Sequence, residues 1–139
     1  MTGRFELQSH TADVAVEATA PTLSAVFEAT ADGLAAAHLE DLPASGGSRY
    51  DLEVSAESPT ALLFDYLGRL IYLRDVETVL PVDNEAAVEE REEGWRVTAG
   101  FRGVPLDTIP AREVKAITYS EMDLSERNGG WHAYVVLDV

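Results

Sequence analysis

The chain lacks several features on which common functions depend. It contains no cysteine, which excludes disulfide bonds, thiolate metal sites and a cysteine nucleophile. No stretch approaches the roughly 20 consecutive apolar residues that a transmembrane helix needs, and the first residues, MTGRFELQSHTAD, contain no apolar signal core. The GxSxG, P-loop, GxGxxG, HExxH and EF-hand motifs are absent as well. We therefore expect a cytoplasmic protein with no membrane segment.

Lysine is scarce and positive charge is outnumbered. Ten basic residues, nine arginines and Lys115, oppose 25 acidic ones, which gives a formal net charge of −15. A chain this acidic repels phosphate backbones, so direct tRNA binding through a basic surface is disfavoured. A local patch formed by Arg69 and Arg74 is the alternative that remains open. An acidic protein can still act on a nucleic-acid enzyme by binding the protein surface of that enzyme.

The apolar residues are sufficient for a core and are arranged in periodic segments. Hydrophobic residues make up 46% of 139 residues, which suits a single domain spanning 1–139. Alternation and helical spacing predict, in order, two strands, a helix, a strand and a longer helix, with hairpins afterwards. This order favours an α+β fold in which two main helices pack on a largely antiparallel sheet. The predicted elements are a strand at Phe5–Gln8, a strand at Val14–Ala20, a helix from Thr22 to about His38, a strand at Tyr50–Ala56 and a helix that begins at Ser58-Pro59.

The second half of the chain is predicted to consist mainly of hairpins. REEG separates strands at Ala86–Glu90 and Trp95–Phe101, and ERNGG contains an Asn-Gly pair suited to a type I′ turn. We expect GVPLDTIP to be a connector, because its two prolines argue against a central strand. An extended segment at Val114–Leu124 and a final strand at Trp131–Val139 complete the prediction.

Acidic residues near both ends of the chain suggest a cation site. Asp13 follows a strand in the stretch SHTAD, where an ordinary turn residue is the simpler interpretation. Asp138 and the carboxylate of Val139 end the last strand. Two such anions in contact repel each other by about 1–4 kcal/mol, and a divalent cation between them turns this repulsion into attraction. If the two ends meet, their oxygen ligands suit Ca²⁺ or Mg²⁺, whereas Zn²⁺ would find only His10 as a nitrogen ligand.

The only lysine is a second candidate. Lys115 lies in REVKAITY, where we expect Val114, Ala116 and Thr118 on one strand face and Lys115 on the other. One interpretation is an ordinary surface lysine, whose aliphatic chain lies along the protein while its ammonium group reaches solvent. The alternative is functional, because a compact ammonium beside carboxylates or a phosphate differs from a guanidinium fork.

Four segments together resemble the archease family: HTADVAVEA, TALLFDYLGRLIYL, VKAITY and the terminal VVLDV, which cover nearly the whole chain in this order. The resemblance implies a small α+β protein that binds a divalent cation, with calcium favoured and magnesium or manganese as alternatives. It also implies an accessory protein that activates the GTP-dependent tRNA-splicing RNA ligase, promoting guanylation and multiple turnover, without being an enzyme itself. Partnership with tRNA would then be only indirect. By the same resemblance, the metal ligands are Asp13, Asp138 and Val139, and the motif lysine is Lys115; His10 belongs to the first motif with a role left open.

The chain departs from the family pattern at one position, and other functions stay open. Many members of the archease family carry histidine after the TY pair, where this chain has Ser120; any help of that histidine in holding metal or partner is missing here, but the oxygen-ligand site does not depend on it. A small metal-dependent phosphoester hydrolase is the main alternative function, with His10 as the only obvious general acid or base. A chaperone-like binding module is the other.

Overall fold

A computed structural model of the protein describes residues 3–9, 13–39 and 41–139, without the side chains of Gln8, Ser9 and Asp13. His10 and the rest of the HTA stretch therefore lie outside the described residues. The elements, in chain order, are β1 Arg4–Ser9, β2 Asp13–Ala20, α1 Leu23–His38, β3 Ser48–Ala56, α2 Pro59–Glu77, β4 Val79–Arg91, β5 Gly94–Pro105, a 3₁₀ turn Leu106–Thr108, β6 Ala116–Arg127 and β7 Gly130–Asp138.

Two antiparallel sheets and two helices make up the architecture, which confirms the predicted α+β class. The four-stranded sheet has the order β1-β2-β7-β6 and the three-stranded sheet the order β3-β5-β4. Every neighbouring pair of strands is antiparallel. The last strand, β7, therefore lies in the middle of its sheet, between a strand from the start of the chain and its own hairpin partner.

Both helices begin where their capping residues predict. The Thr22 hydroxyl accepts a hydrogen bond from the Ala25 amide at 3.1 Å, and the Ser58 hydroxyl accepts one from the Ala61 amide at 3.1 Å. The predicted apolar face of α2 is buried in full, as are most residues of the α1 face. The buried α2 residues are Leu62, Leu63, Tyr66, Leu67, Leu70, Ile71 and, unexpectedly, Arg74.

Helix α1 covers the outer edge of the three-stranded sheet as well as packing on the other sheet. Three of its side chains recur every fourth residue, and they accept hydrogen bonds from every second amide of β4. Helical residues four apart rise about 6 Å, and strand residues two apart about 6.6 Å, so the two ladders match in spacing. The bonds are Asp32 from the Asn84 amide at 3.0 Å, Glu28 from the Ala86 amide at 2.9 Å and Ser24 from the Val88 amide at 2.9 Å.

Three strand predictions were wrong at their ends. β4 begins at Val79, seven residues before the predicted start at Ala86. β5, the central strand of its sheet, continues through Gly103 to Pro105, inside the segment that we expected to be only a connector. The pairing with β3 ends at Gly103, whereas Pro105 pairs only with Val79 of β4. A missing N–H at Pro105 therefore costs no bond on the β3 side.

The extended segment before the last hairpin also differs from the prediction. β6 begins at Ala116 instead of Val114, and its pairing with β7 shifts register between Thr118 and Asp123. Glu121, with φ of 68°, lies inside this irregularity. The strict alternation of faces expected from Val114 onward therefore does not hold. The Asn128-Gly129 pair adopts φ angles of 54° and 80°, as a type I′ turn requires.

Within the described part of the chain, none of the helices has the length and apolar character needed to span a bilayer.

Candidate functional site

The ends of β2 and β7 bring together the two aspartates singled out in the sequence. Asp13 is the register partner of Asp138 in the antiparallel β2–β7 pair. On its other side, Asp138 is the register partner of Ala116 at the start of β6. Asp138 is exposed, and Val139 follows it half-buried. Residues opposite each other in such a pair have Cα atoms about 4.5–5.5 Å apart, so the backbone places two acidic residues side by side.

Lys115 is attached to the same end of the sheet through its backbone. Its amide donates a hydrogen bond to the Asp138 carbonyl at 2.7 Å. Its side chain is exposed, and it forms no ion pair with any described residue. The one ammonium side chain of the protein therefore starts next to Asp138, although Lys115 itself lies before the first residue of β6.

A buried arginine holds the segment that carries Lys115. Arg74 on α2 is 5% exposed, and its Nη1 donates to the Val114 carbonyl at 2.6 Å. The same Nη1 lies 2.7 Å from Nε2 of His38. Its remaining partner is the carboxylate of Asp75, at 2.8 Å from Nη2. Val114 is fully buried, so these side-chain contacts fix the segment together with the backbone bond from Lys115 to Asp138.

His38 completes this arrangement as a neutral imidazole. Nδ1 lies 2.8 Å from the Leu34 carbonyl, which can only accept, so Nδ1 carries the proton and Nε2 accepts from Arg74. Burial lowers the pKa of His38 from 6.5 to about 4, and the nearby Arg74 charge adds to that effect. The His38 carbonyl in turn accepts from the Arg112 amide at 2.8 Å. We call Arg74, His38 and Val114 the buried strut.

The basic patch considered from the sequence does not exist as a surface. Arg74 faces the interior, where its guanidinium is used by the buried strut, while Arg69 is exposed. A single exposed arginine on α2 does not form a phosphate-binding patch. The alternative of direct tRNA binding through these two residues was therefore wrong.

A second buried histidine, His132, lies near the opposite end of β7. Nε2 of His132 lies 2.8 Å from a Glu17 oxygen, and Nδ1 lies 3.0 Å from an Asp123 oxygen. Asp123 also pairs with Arg127 at 3.3 Å. The ring therefore joins β7, which carries it, to Glu17 of β2 and to Asp123 of β6. Only the strand register reveals it, because Glu17 and His132 are far apart in sequence.

The donor chemistry at the Asp13–Asp138 end fits a hard cation. No group of three or more histidine, cysteine or acidic side chains converges among the described residues, but the Asp13 side chain and all of His10 lie outside that set. Carboxylate and carbonyl oxygens are ligands that Ca²⁺ and Mg²⁺ accept, whereas Zn²⁺ prefers nitrogen and sulfur. Metal binding by Asp13, Asp138 and Val139 therefore stays a prediction.

Comparison with known proteins adds an independent line of evidence. The Archease protein family (MTH1598/TM1083) matches residues 5–139. The protein archease of Thermococcus gammatolerans is 35% identical over 140 residues, covering 98% of this chain and 99% of the relative. The protein archease of Methanosarcina barkeri is 29% identical and covers 98% and 96%.

Two solved structures share the fold. The solution structure of Methanobacterium thermoautotrophicum protein 1598 has a TM-score of 0.85 at 27% identity, with 97% of this chain and 98% of that one covered. The Thermotoga maritima crystal structure, described as an archease and possible chaperone, has a TM-score of 0.64 at 18% identity, and both chains are covered to 96%. With the family matched over almost the full length and the fold shared, this chain belongs to the archease family.

Proposed function

We propose that the protein is an accessory factor that activates the GTP-dependent tRNA-splicing RNA ligase by promoting guanylation and multiple turnover. Family membership supports an accessory role, and the description of the Thermotoga relative as a possible chaperone is compatible with it. The net charge of −15 favours contact with the ligase protein over contact with tRNA. In this proposal the protein works in the cytoplasm and catalyses no step of the joining reaction.

The observation that carries the proposal is the pairing of Asp13 with Asp138. An antiparallel pair that places two acidic residues opposite each other is destabilised by their repulsion. The sheet nevertheless brings the end of β7 to this position, in the middle of four strands. A divalent cation bound between the two residues would turn that repulsion into attraction.

Three residues would hold the ion: Asp13 and Asp138 through their carboxylates, and Val139 through a carboxylate or carbonyl oxygen. Calcium is the cation that we favour, with magnesium or manganese as alternatives. When bound, the ion would supply positive charge and fix the geometry of the oxygen ligands at this end of the sheet. His10 belongs to the same sequence motif, and its role in the proposal stays open.

The rest of the chain would set the shape of the surface that meets the ligase. The backbone bond from Lys115 to Asp138 keeps the ammonium close to the acidic pair, where it can balance the carboxylates or contact a nucleotide phosphate. The buried strut prevents the segment before β6 from moving away. This surface would bind near the ligase active site and favour the conformation that accepts guanylate.

The proposal is tested by measuring two properties of the same variants. Asp138→Asn and Asp13→Asn should both weaken calcium binding, which is measured by calorimetric titration. Both variants should also abolish stimulation of multiple-turnover ligation by the cognate ligase. Asp107→Asn is the matched control, because Asp107 is an exposed aspartate in the 3₁₀ turn after β5, away from this end of the sheet. Stimulation that is equal in the wild type and in both site variants would remove the site from the function.

A further inference from the structure

The three-stranded sheet has two edges, and within residues 3–9, 13–39 and 41–139 side chains protect only one of them. On the β4 edge, the amides of Asn84, Ala86 and Val88 are already hydrogen-bonded to side chains of α1. No further strand can pair with those amides. The opposite edge is β3, nine residues long from Ser48 to Ala56. Among the described residues, no side chain forms a hydrogen bond with its backbone, so β3 presents free donors and acceptors.

A groove runs beside this free edge. It has a volume of about 490 Å³ and lies between β3 and α2. The strand contributes Glu53, Val54 and Ser55 to its wall, and the helix contributes Phe64, Gly68 and Tyr72. The groove therefore combines unpaired backbone with apolar side-chain surface, which are the two elements that bind extended peptides in β-strand addition.

Gly68 forms a notch in the helix wall that the fold itself does not require. It lies in the middle of α2, where glycine costs about 1 kcal/mol relative to alanine. A Cβ atom added at Gly68 would meet nothing within 4 Å, so no contact inside the chain demands the missing side chain. One helical turn away on either side lie Phe64 and Tyr72, and Tyr72 is 58% exposed.

The aromatic surface extends from the notch to β6, an edge strand of the four-stranded sheet. Phe64 packs edge-to-face on Tyr119 of β6, with ring centroids 5.0 Å apart. Tyr119 is 55% exposed and Val76, one turn beyond Tyr72, is also 55% exposed. On a protein with a charge of −15, an apolar surface of this kind indicates an interaction site.

The charges around the groove select the chemistry of its occupant. Glu53 and Asp65 line the groove as exposed acidic residues, and Arg69 lines it as a cation. Asp65 has no ion-pair partner among the described residues. Glu53 is only loosely paired, at 3.5 Å from Arg96. A basic segment would therefore be attracted, whereas a second copy of this chain would bring another 15 negative charges.

We propose that the groove between β3 and α2 binds an extended, basic segment of a partner protein, which adds to the free edge of β3 as a further strand. An aliphatic or aromatic side chain of that segment fills the notch at Gly68, between Phe64 and Tyr72. Lysine or arginine side chains near it face Asp65. The proposal relies on the proposed function only for the identity of the partner, the ligase; the groove itself is independent of it.

A peptide experiment tests the groove without the ligase. The probe is a synthetic peptide of alternating lysine and valine, about eight residues long to match β3 at roughly 3.3 Å per residue, and the control peptide replaces lysine by glutamate. The basic peptide should slow amide hydrogen exchange along β3 and shift the NMR signals of Gly68 and Tyr72, while the acidic peptide should do neither.

Variants of the notch give the decisive comparison. Gly68→Leu should fold with unchanged or higher stability, because the added side chain points into open space, and should raise the peptide Kd roughly tenfold or more. Asp65→Lys should also raise the Kd of the basic peptide. Glu92→Leu, which adds the same side chain on the exposed turn between β4 and β5, is the matched control and should bind as the wild type does.

The cognate ligase provides the second readout. Gly68→Leu should lose affinity for the ligase while keeping calcium binding, whereas Asp138→Asn should lose calcium binding while keeping the peptide site. A wild-type protein that does not stimulate the ligase contradicts the proposed function and leaves the peptide result to decide the groove. Equal peptide affinity of wild type and Gly68→Leu, protection outside β3, or a dimer that Gly68→Leu abolishes would each overturn the proposal.

Discussion

Acid should weaken this protein through one buried histidine. His38 is only 4% exposed, and its neutral ring donates to Leu34 and accepts from Arg74. Its pKa falls from 6.5 to about 4 on folding. Because the folded state resists protonation, the stability that His38 contributes is fully present above pH 6.5 and is lost as the pH falls towards 4.

The size of this loss follows from the two pKa values. Between them, each pH unit costs about 1.4 kcal/mol, because the unfolded chain takes up a proton that the folded chain does not. From pH 7 to pH 5, the integrated loss due to His38 is about 2 kcal/mol. For a domain of this size, about 2 kcal/mol is a substantial part of the total free energy of unfolding.

The measurement compares the wild type with His38→Gln. Glutamine can donate to the Leu34 carbonyl and accept from Arg74, but it does not titrate in this range. Urea unfolding of both proteins at pH 7 and pH 5 cancels the contribution of every other titrating group. We expect the wild type to lose about 2 kcal/mol more than His38→Gln. Equal losses in the two proteins would refute the neutral, buried assignment of His38.

Three further predictions concern stability, each measured as the free energy of unfolding in urea. Asp32→Ala removes the acceptor of two Asn84 donors, both at 3.0 Å, and should cost about 1–3 kcal/mol. A loss below that range would show that the bonds from α1 to the β4 edge contribute little to stability. Tyr66→Phe removes a buried hydroxyl with no partner among the described residues, so stability should stay equal or rise, and a clear loss would reveal a missed partner. Ser58→Ala deletes the cap on the Ala61 amide and should cost about 1 kcal/mol, whereas an unchanged value would contradict the capping role.

Local signals in the sequence were sufficient for most elements. Thr22 and Ser58 marked both helix starts, because a cap depends only on amides within three residues. Asn128-Gly129 marked the last hairpin, because the turn needs two residues that tolerate positive φ. The family resemblance was also confirmed, since its motifs are read directly from the order of residues.

Contacts between distant parts of the chain explain the failures. His38 and Arg74 are 36 positions apart, and Arg74 and Val114 are 40 apart. No local pattern predicts that an arginine between apolar helix residues turns inward to bind a carbonyl on another segment. The extension of β5 to Pro105 has the same origin, because it depends on where β3 ends beside it.

By itself, the sequence determined the order of helices and strands, where both helices begin, and which acidic residues lie near the chain ends, because periodicity, caps and composition are local properties. Only the tertiary structure decided that β7 lies between β2 and β6, so that Asp13 is the register partner of Asp138. It also decided that α1 covers β4, whereas no side chain in the described part of the chain covers the edge of β3. The physical reason is that strand neighbours are selected by the burial of whole sheet faces against α1 and α2, a property of the assembled core that no single segment contains.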